Sequence, residues 1–412
     1  MRSVVQTWAL ERSIRVGAAL SRRAGGAPLA ALACNASTEA GATSGRQGRR
    51  RYKRQRFVHY ERVSIVDSSP PKEPGVVLIS ATHFNAEAPP QGLQAAITPV
   101  EQHFVRSHFA LPQHPGTLTI DGAVEHPLRL TLDDLRALPA ITLSVTLECA
   151  GNARLGFQPL PKGEPWGWTA VSTAAWTGVP LQTLLAQAQP RAEGHSLLFE
   201  GADHGPHQGS PDVGYARALT LAEAERMGND VLLAYAMNGA PLPVEHGAPL
   251  RLIVPGWYGM ASVKWLQRVR VLPDVYSGAF QTESYVYHWP DGTSQPVTMM
   301  RVRALVTDPL PGQTLARGTH IIQGQAWSGA GAVTGVEVSI DGQDWQPARL
   351  DAPVNRYAWQ AWSFEWRVTE AGRHSIRARA SDSSGAAQPD LPAWNKKGYG
   401  NNAVQAHLVQ VS

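Results

Sequence analysis

The chain has 412 residues, 43% of them hydrophobic, with 37 Lys and Arg against 33 Asp and Glu and only two cysteines. That composition supplies apolar cores for two or three domains. It excludes a disordered chain, a membrane-spanning apolar run, a disulfide scaffold and any four-cysteine metal site. The net charge of +4 hides an asymmetry, because residues 1–56 hold 12 basic and two acidic residues, a net +10, and the other 356 residues carry −6.

Residues 1–56 are rich in Ala, Gly, Ser and Arg and lack apolar periodicity, which predicts a solvated, poorly ordered arm. No aromatic platform accompanies the charge, so nucleic acid is not an expected partner. Within the arm, Ser21-Arg22-Arg23 precedes a small-residue stretch at 24–33. The pattern is like a twin-arginine export signal and points to a bacterial periplasmic location; a remnant or a misplaced start codon is the rival reading.

From Phe57 the pattern changes. Residues 63–66, 76–79, 118–122, 141–147, 197–200, 231–235, 250–254 and 269–272 read as strands. Thr131-Leu-Asp-Asp134 and Thr220-Leu-Ala-Glu223 open helices as capping boxes, and 180–185 reads as helical. Strands and helices mix without βαβ alternation, so 57–292 is expected to be an α+β domain. After about residue 292 the helical signals stop. Short strand candidates at 301–306, 320–326, 333–340, 345–350, 359–366, 374–380 and 405–411 alternate with Pro-Gly, Asp-Gly, Ala-Gly and Ser-Gly turns, the spacing of a β-sandwich over 293–412. Trp362, Phe364 and Trp366 alternate with Ser363 and Glu365 and are read as sandwich core.

Three constellations carry chemistry. Cys149 ends an apolar strand and opens the turn Ala150-Gly151-Asn152, with Arg154 five residues on. A lone cysteine is ordinarily an inert buried thiol, but the strand end, the Gly-Asn turn and Arg154 favour a thiolate, either a nucleophile or a soft metal ligand, and the residues alone do not choose between these two. Glu245-His246, Arg251, Pro255-Gly256 and Ser262-Val263-Lys264 combine a buried strand, a Gly-rich turn and cations, which suits an anionic group such as a phosphate. Phe84-Asn85-Ala86-Glu87 and Arg106-Ser-His108 add polar residues in apolar surroundings. Asp203-His204-Gly-Pro-His207 suggests a metal site but is read as a polar surface loop.

With Leu147-Glu-Cys-Ala-Gly-Asn152, Trp166, Val171-Ser-Thr173, Trp176, Phe199-Glu-Gly201, the run from Leu232 to Pro243, Val254-Pro-Gly256, Val263-Lys-Trp-Leu266, Gly324-Gln-Ala-Trp-Ser-Gly329 and Trp394-Asn395, these stretches resemble the sulfite oxidase family of molybdenum enzymes, over roughly residues 60–412 in unbroken order. The resemblance implies a sulfite oxidase-like α+β molybdopterin domain at 57–292 and an immunoglobulin-like dimerisation domain at 293–412, acting as a homodimer. It implies molybdenum held by Cys149 and by molybdopterin. Phe84, Asn85, Ala86, Glu87, Asp203, His246, Arg251, Ser262, Val263 and Lys264 fall where the family holds the pterin and its phosphate, and Arg106, Arg154, Trp166 and Tyr285 where it lines the anion pocket. Sulfite oxidation is the implied reaction, with nitrate or another small oxo-anion, or an inactive cofactor-binding homologue, as alternatives. No Cys-x-x-Cys-His occurs in the sequence, so an external acceptor such as a c-type cytochrome is expected to take the electrons. Ala153, Met260-Ala261 and Gln360 depart from the more basic pattern of the animal enzymes. Gln360 in particular is expected at a position that helps close the anion pocket.

Overall fold

Residues 75–412 are described by the computed structural model. The basic arm, Cys34, the export-like motif and the strand expected at 63–66 lie outside the described residues. The first half begins with the hairpin β1 (Val77–Ser80) and β2 (Asn85–Glu87). Next come β3 (Thr117–Gly122), β4 (Leu128–Thr131), α1 (Leu132–Arg136), β5 (Ile141–Glu148), β6 (Val171–Pro180), α2 (Leu181–Ala188), β7 (Ser196–His207), β8 (Ser210–Thr220) and α3 (Leu221–Met227). It ends with β9 (Leu232–Met237), β10 (Ala240–Pro241), β11 (Arg251–Ile253), β12 (Leu266–Leu272), α4 (Ala279–Thr282), β13 (Val286–His288) and β14 (Ser294–Pro296).

Two sheets organise this half. One runs β10-β9-β6-β5 with β11 added to β9; the other runs β4-β3-β12-β7-β8. The β3–β12 pair is parallel and its neighbours are antiparallel. Both expected capping boxes form, Thr131 with Asp134 and Thr220 with Glu223, and each satisfies end groups worth about 1 kcal/mol. Helix α2 buries Leu181, Leu184, Leu185 and Ala188, a spacing that puts them on one face, and ends where Gln189 turns left-handed at φ 52°.

Three elements escape a period-two reading. Strand β6 is covered on both faces, so its Ser172 and Thr173 are as buried as Val171 and no alternation shows. Residues 203–207, expected as a surface loop, instead form the distal end of β7. The hairpin to β8 closes at Gln208 and Gly209, both at positive φ, the geometry of a tight primed turn. Helix α4 is a single turn.

The second half contains β15 (Arg303–Asp308), β16 (Thr314–Leu315), β17 (Gly318–Trp327), β18 (Val333–Ile340), β19 (Gln346–Pro347), β20 (Arg349–Leu350), β21 (Gln360–Val368), β22 (Gly372–Asp382) and β23 (Ala406–Val411). Sheets β15-β17-β21-β20 and β16-β23-β22-β18-β19 enclose a core of Val302, Ile322, Trp362, Trp366, Ile376 and Val409. This is the sandwich the turn spacing predicts, and alternate residues of β21 face inward as expected. The segment between β22 and β23 does not pair as a strand. It runs back along the first half and buries Asn395, Asn401 and Asn402.

Candidate active site

Cys149 follows β5 directly, is buried, and sits where two concavities meet. An inner cavity is lined by Arg251, His246, Lys264, Ser262 and Asp203 among others. An outer pocket is lined by Arg154, Trp166, Lys162, Glu164, Lys397 and Tyr399. Cys149, Arg106, His108 and Tyr285 line both, and so form the partition between them.

Local structure explains the placement of the thiol. The Cys149 N–H donates to Ala170 O at 2.9 Å, tying the end of β5 to the segment entering β6, and Asn152 N donates to Cys149 O at 2.9 Å. Burial pushes the thiol pKa up, while Arg106, the Gly151 N–H and Arg154 pull it down. Gly151 is required by a close approach: a Cβ there would lie 2.5 Å from Arg154 Nη2 and 2.7 Å from Nη1. Arg154 donates from Nη1 to Glu164 O at 2.7 Å and from Nε to Lys397 O at 3.1 Å, so Nη2 is the arm with no protein acceptor among the described residues. Arg106 donates to Asn85 Oδ1 at 3.2 Å, to Ser107 O and, through Nη2, to His108 Nδ1 at 3.0 Å.

That last bond fixes the imidazole. Arginine can only donate, and Nη2 lies nearer Nδ1, at 3.0 Å, than Nε2, at 3.4 Å, so Nδ1 is taken as the acceptor, and burial beside Arg106 holds His108 neutral. Nε2 therefore carries the proton and donates to the Tyr285 hydroxyl at 2.6 Å. Tyr285 occupies left-handed backbone space at φ 58°, a conformation uncommon for an aromatic residue and concentrated at functional sites. Burial holds its phenol well above the ordinary range, so it stays a neutral donor.

The inner cavity carries groups in search of a ligand. Arg251 Nε and Asp203 Oδ1 are buried there without hydrogen-bond partners. Neither Arg251 nor Lys264 has a carboxylate in ion-pair range among the described residues. Desolvation lowers Arg251 to about 9 and holds Lys264 well below its usual value. Asp203 is raised by burial to about 6. Two desolvated cations facing one cavity are stabilised by an anion such as a phosphate, and the orphaned donor and acceptor suit the polar edge of a heterocycle. Among the described residues no group of three His, Cys, Asp or Glu side chains is arranged to hold a metal. One thiolate fits a metal that brings its remaining ligands on its own cofactor. The residues present therefore fit a molybdopterin-bound metal.

Not every candidate converges here. Phe84 is 40% exposed, and Ala86, Glu87 and Val263 line neither space. Asn85 acts indirectly, through Arg106 and the Ser107 N–H at 2.8 Å. Gln360 does not reach the outer pocket; its amide donates to Asp351 O within the sandwich. Lys397 stands at the pocket instead, with Nζ bonded to Glu283 O at 2.8 Å. Ala153 is fully buried.

Glu87 has a different consequence. Burial raises its carboxyl to about 7, against lowering by the Gly167 and Thr169 N–H groups and by Arg303. The folded state thus holds this proton more tightly than the unfolded chain. The associated stability is full below about 4.5 and is lost as pH rises through about 7. Glu87→Gln is expected to flatten that loss, by up to roughly 3 kcal/mol between those limits, read from urea midpoints across the pH range.

Sequence reasoning missed the contribution of the second half. Gly400 N donates to Ala150 O at 2.8 Å and Asn401 Nδ2 to Ala153 O at 2.8 Å, while Tyr399 stacks on Tyr285 and faces the Arg154 guanidinium. The available signal was Asn395-Lys-Lys-Gly-Tyr-Gly-Asn-Asn402, a polar run without strand alternation that is nonetheless buried. His207, weighed with Asp203 as part of a metal-like stretch, lines neither space; its ring packs on Phe280 at 4.4 Å between centroids and its Nε2 meets Ser284 Oγ at 3.1 Å.

Comparison with known proteins agrees with this arrangement. A family model described as an oxidoreductase molybdopterin binding domain matches residues 108–280, and one described as a Mo-co oxidoreductase dimerisation domain matches 294–412. The mitochondrial sulfite oxidase of Homo sapiens is 38% identical over 370 residues, covering 83% of this chain and 67% of that protein. The sulfite oxidase of Gallus gallus is 38% identical over 358 residues, covering 80% and 76%. An NADH nitrate reductase of Phaseolus vulgaris is 33% identical over 374 residues, covering 79% and 41%. Among solved structures, the sulfane dehydrogenase SoxCD from Paracoccus pantotrophus superimposes with a TM-score of 0.73 at 28% identity, covering 85% of this chain and 94% of that one.

Proposed function

Because this chain belongs to the sulfite oxidase family of molybdopterin-dependent oxidoreductases, we propose that it oxidises sulfite to sulfate and passes the two electrons to an external acceptor. The observation that carries the reading is the partition. Cys149, Arg106, His108 and Tyr285 stand between a cavity with unpaired buried cations and a pocket with a guanidinium arm open to it. Arg251, Lys264, His246, Ser262 and Asp203 would hold the pterin and its phosphate, and the Cys149 thiolate would be the protein's ligand to molybdenum. When bound, the cofactor supplies the oxygen-atom transfer and the two-electron redox change.

The chain's own groups do the rest. Arg106 and Arg154 attract a small oxyanion and orient it, since planar, permanently charged forks suit paired oxygens. Trp166, almost fully buried, walls the pocket against water and so strengthens those interactions. His108 donates to Tyr285, so the phenol proton is not spent on the imidazole. The Tyr215 hydroxyl beside it, itself donating to Met260 O at 2.7 Å, is the resting acceptor, and a bound oxyanion is a stronger one.

Sulfite stands ahead of nitrate because the nitrate reductase relative is more distant in sequence. The test uses the purified protein with its molybdenum content measured, sulfite-driven ferricyanide reduction and nitrate-driven oxidation of a reduced viologen. About one molybdenum per chain and a sulfite rate above the nitrate rate are expected. A faster nitrate rate reverses the substrate order, and a cofactor-loaded protein turning over neither anion supports the inactive-homologue reading.

A c-type cytochrome is the acceptor we favour, and sulfite-driven reduction of one by the purified protein tests it. Twice the 44.5 kDa chain mass by light scattering tests the homodimer, and fractionation of expressing cells tests a periplasmic location.

A further inference from the structure

The residue before Cys149 has a role that neither its sequence context nor the pocket lining assigns. Glu148, the last residue of β5, is 2% exposed, and each of its carboxylate oxygens is engaged. Oε1 accepts from Asn152 Nδ2 at 2.9 Å and from Arg303 Nη1 at 2.8 Å, and Oε2 accepts from Trp327 Nε1 at 2.9 Å. Asn152 closes the turn that carries the thiol: its Oδ1 takes the Ala170 N–H at 3.1 Å, while the Cys149 N–H takes Ala170 O. Arg303 is itself 1% exposed and lies between the Trp168 and Trp327 rings, 5.5 and 5.8 Å from their centroids. Arg303 and Trp327 belong to β15 and β17 of the sandwich.

A buried carboxylate is costly to desolvate even when an arginine partners it. Packing alone does not account for it. We propose that Glu148 is a positioning residue: gripped by Arg303 and Trp327, it locks Asn152 and so fixes the direction in which Cys149 presents its sulfur. The sandwich thereby sets the geometry of the thiol it never touches. This rests on the reading of Cys149 as the metal ligand.

Glu148→Gln preserves shape but replaces one acceptor with an NH2 donor, which must face either the Trp327 N–H or the Arg303 and Asn152 N–H groups. One arm of the grip opens. In the holoenzyme, kcat for sulfite is expected to fall about 10- to 100-fold, the usual cost of losing an outer partner of a metal ligand. KM is expected to stay within roughly threefold, since the anion-binding arginines are untouched. Molybdenum and pterin content per chain should remain near wild type, while the electron paramagnetic resonance signal of the reduced enzyme and its midpoint potential shift. Trp327→Phe, which removes a single N–H, should move the same quantities in the same direction by less.

Wild-type kcat, spectrum and potential in Glu148→Gln overturn the proposal even if the variant melts earlier, because a purely structural role moves only the melting temperature. A fall in kcat with unchanged spectrum and potential overturns it as well. If Glu148→Gln does not fold, Trp327→Phe decides on the same readouts. Undiminished sulfite turnover in Cys149→Ser is a separate result and sinks the ligand reading instead.

Discussion

Cys149→Ser is expected to remove sulfite oxidation almost entirely while leaving the fold and the pterin in place. Serine matches the thiol in shape, so the turn closed by Ala170 and Asn152 survives. The hydroxyl, however, does not ionise in the range where a thiol does, and without an anionic sulfur the protein offers no soft donor at the partition. The loss should exceed the 10- to 100-fold typical of outer-partner mutations. The pterin should stay, because the cavity cations Arg251 and Lys264 are unchanged. Cofactor content measured beside ferricyanide reduction separates a missing ligand from a missing cofactor, and a variant with wild-type turnover defeats the assignment.

Arg154→Met is expected to cost about 10- to 100-fold in kcat/KM for sulfite, the equivalent of one charged hydrogen bond at roughly 1.5–3 kcal/mol. Most of that should appear in KM, since the guanidinium contacts the anion before and during reaction alike. Arg154→Lys restores charge but not the two backbone bonds to Glu164 O and Lys397 O made by separate nitrogens, so only partial recovery is expected. Steady-state kinetics of both variants at fixed ionic strength check this. A kcat-only defect in Arg154→Met would place the residue outside substrate binding.

The contrast between these residues and Glu148 shows what a sequence discloses. Cys149 and Arg154 were legible because they stand in one short motif whose residue types carry chemistry by themselves. The sandwich was legible because its strands alternate and its turns are spelled by Gly and Pro. Strand β6 was not, since a strand buried on both faces loses the period-two signature. The Asp203–His207 stretch looked like a polar loop because three of its five residues are polar and Gly205-Pro206 interrupts them, yet pairing with β8 holds it extended, and Asp203 at its start lines the inner cavity. Glu148, Lys397 and Tyr399 were hidden for another reason. Their roles depend on contacts between segments more than 100 residues apart, and no local pattern encodes a partner at that distance. Phe84 and Val263, placed with the pterin by the resemblance, line neither space.

The polar run from Asn395 to Asn402 settles a question of modularity. It is spelled in the C-terminal half of the chain but spends its hydrogen bonds on the loop after Cys149, at Ala150, Ala153 and Arg154. The catalytic half is consequently no cassette that recombination can lift out and fuse to a new neighbour with its pocket intact. An insertion tolerated by the sandwich's outer turns would be felt at the thiol if placed in this one segment.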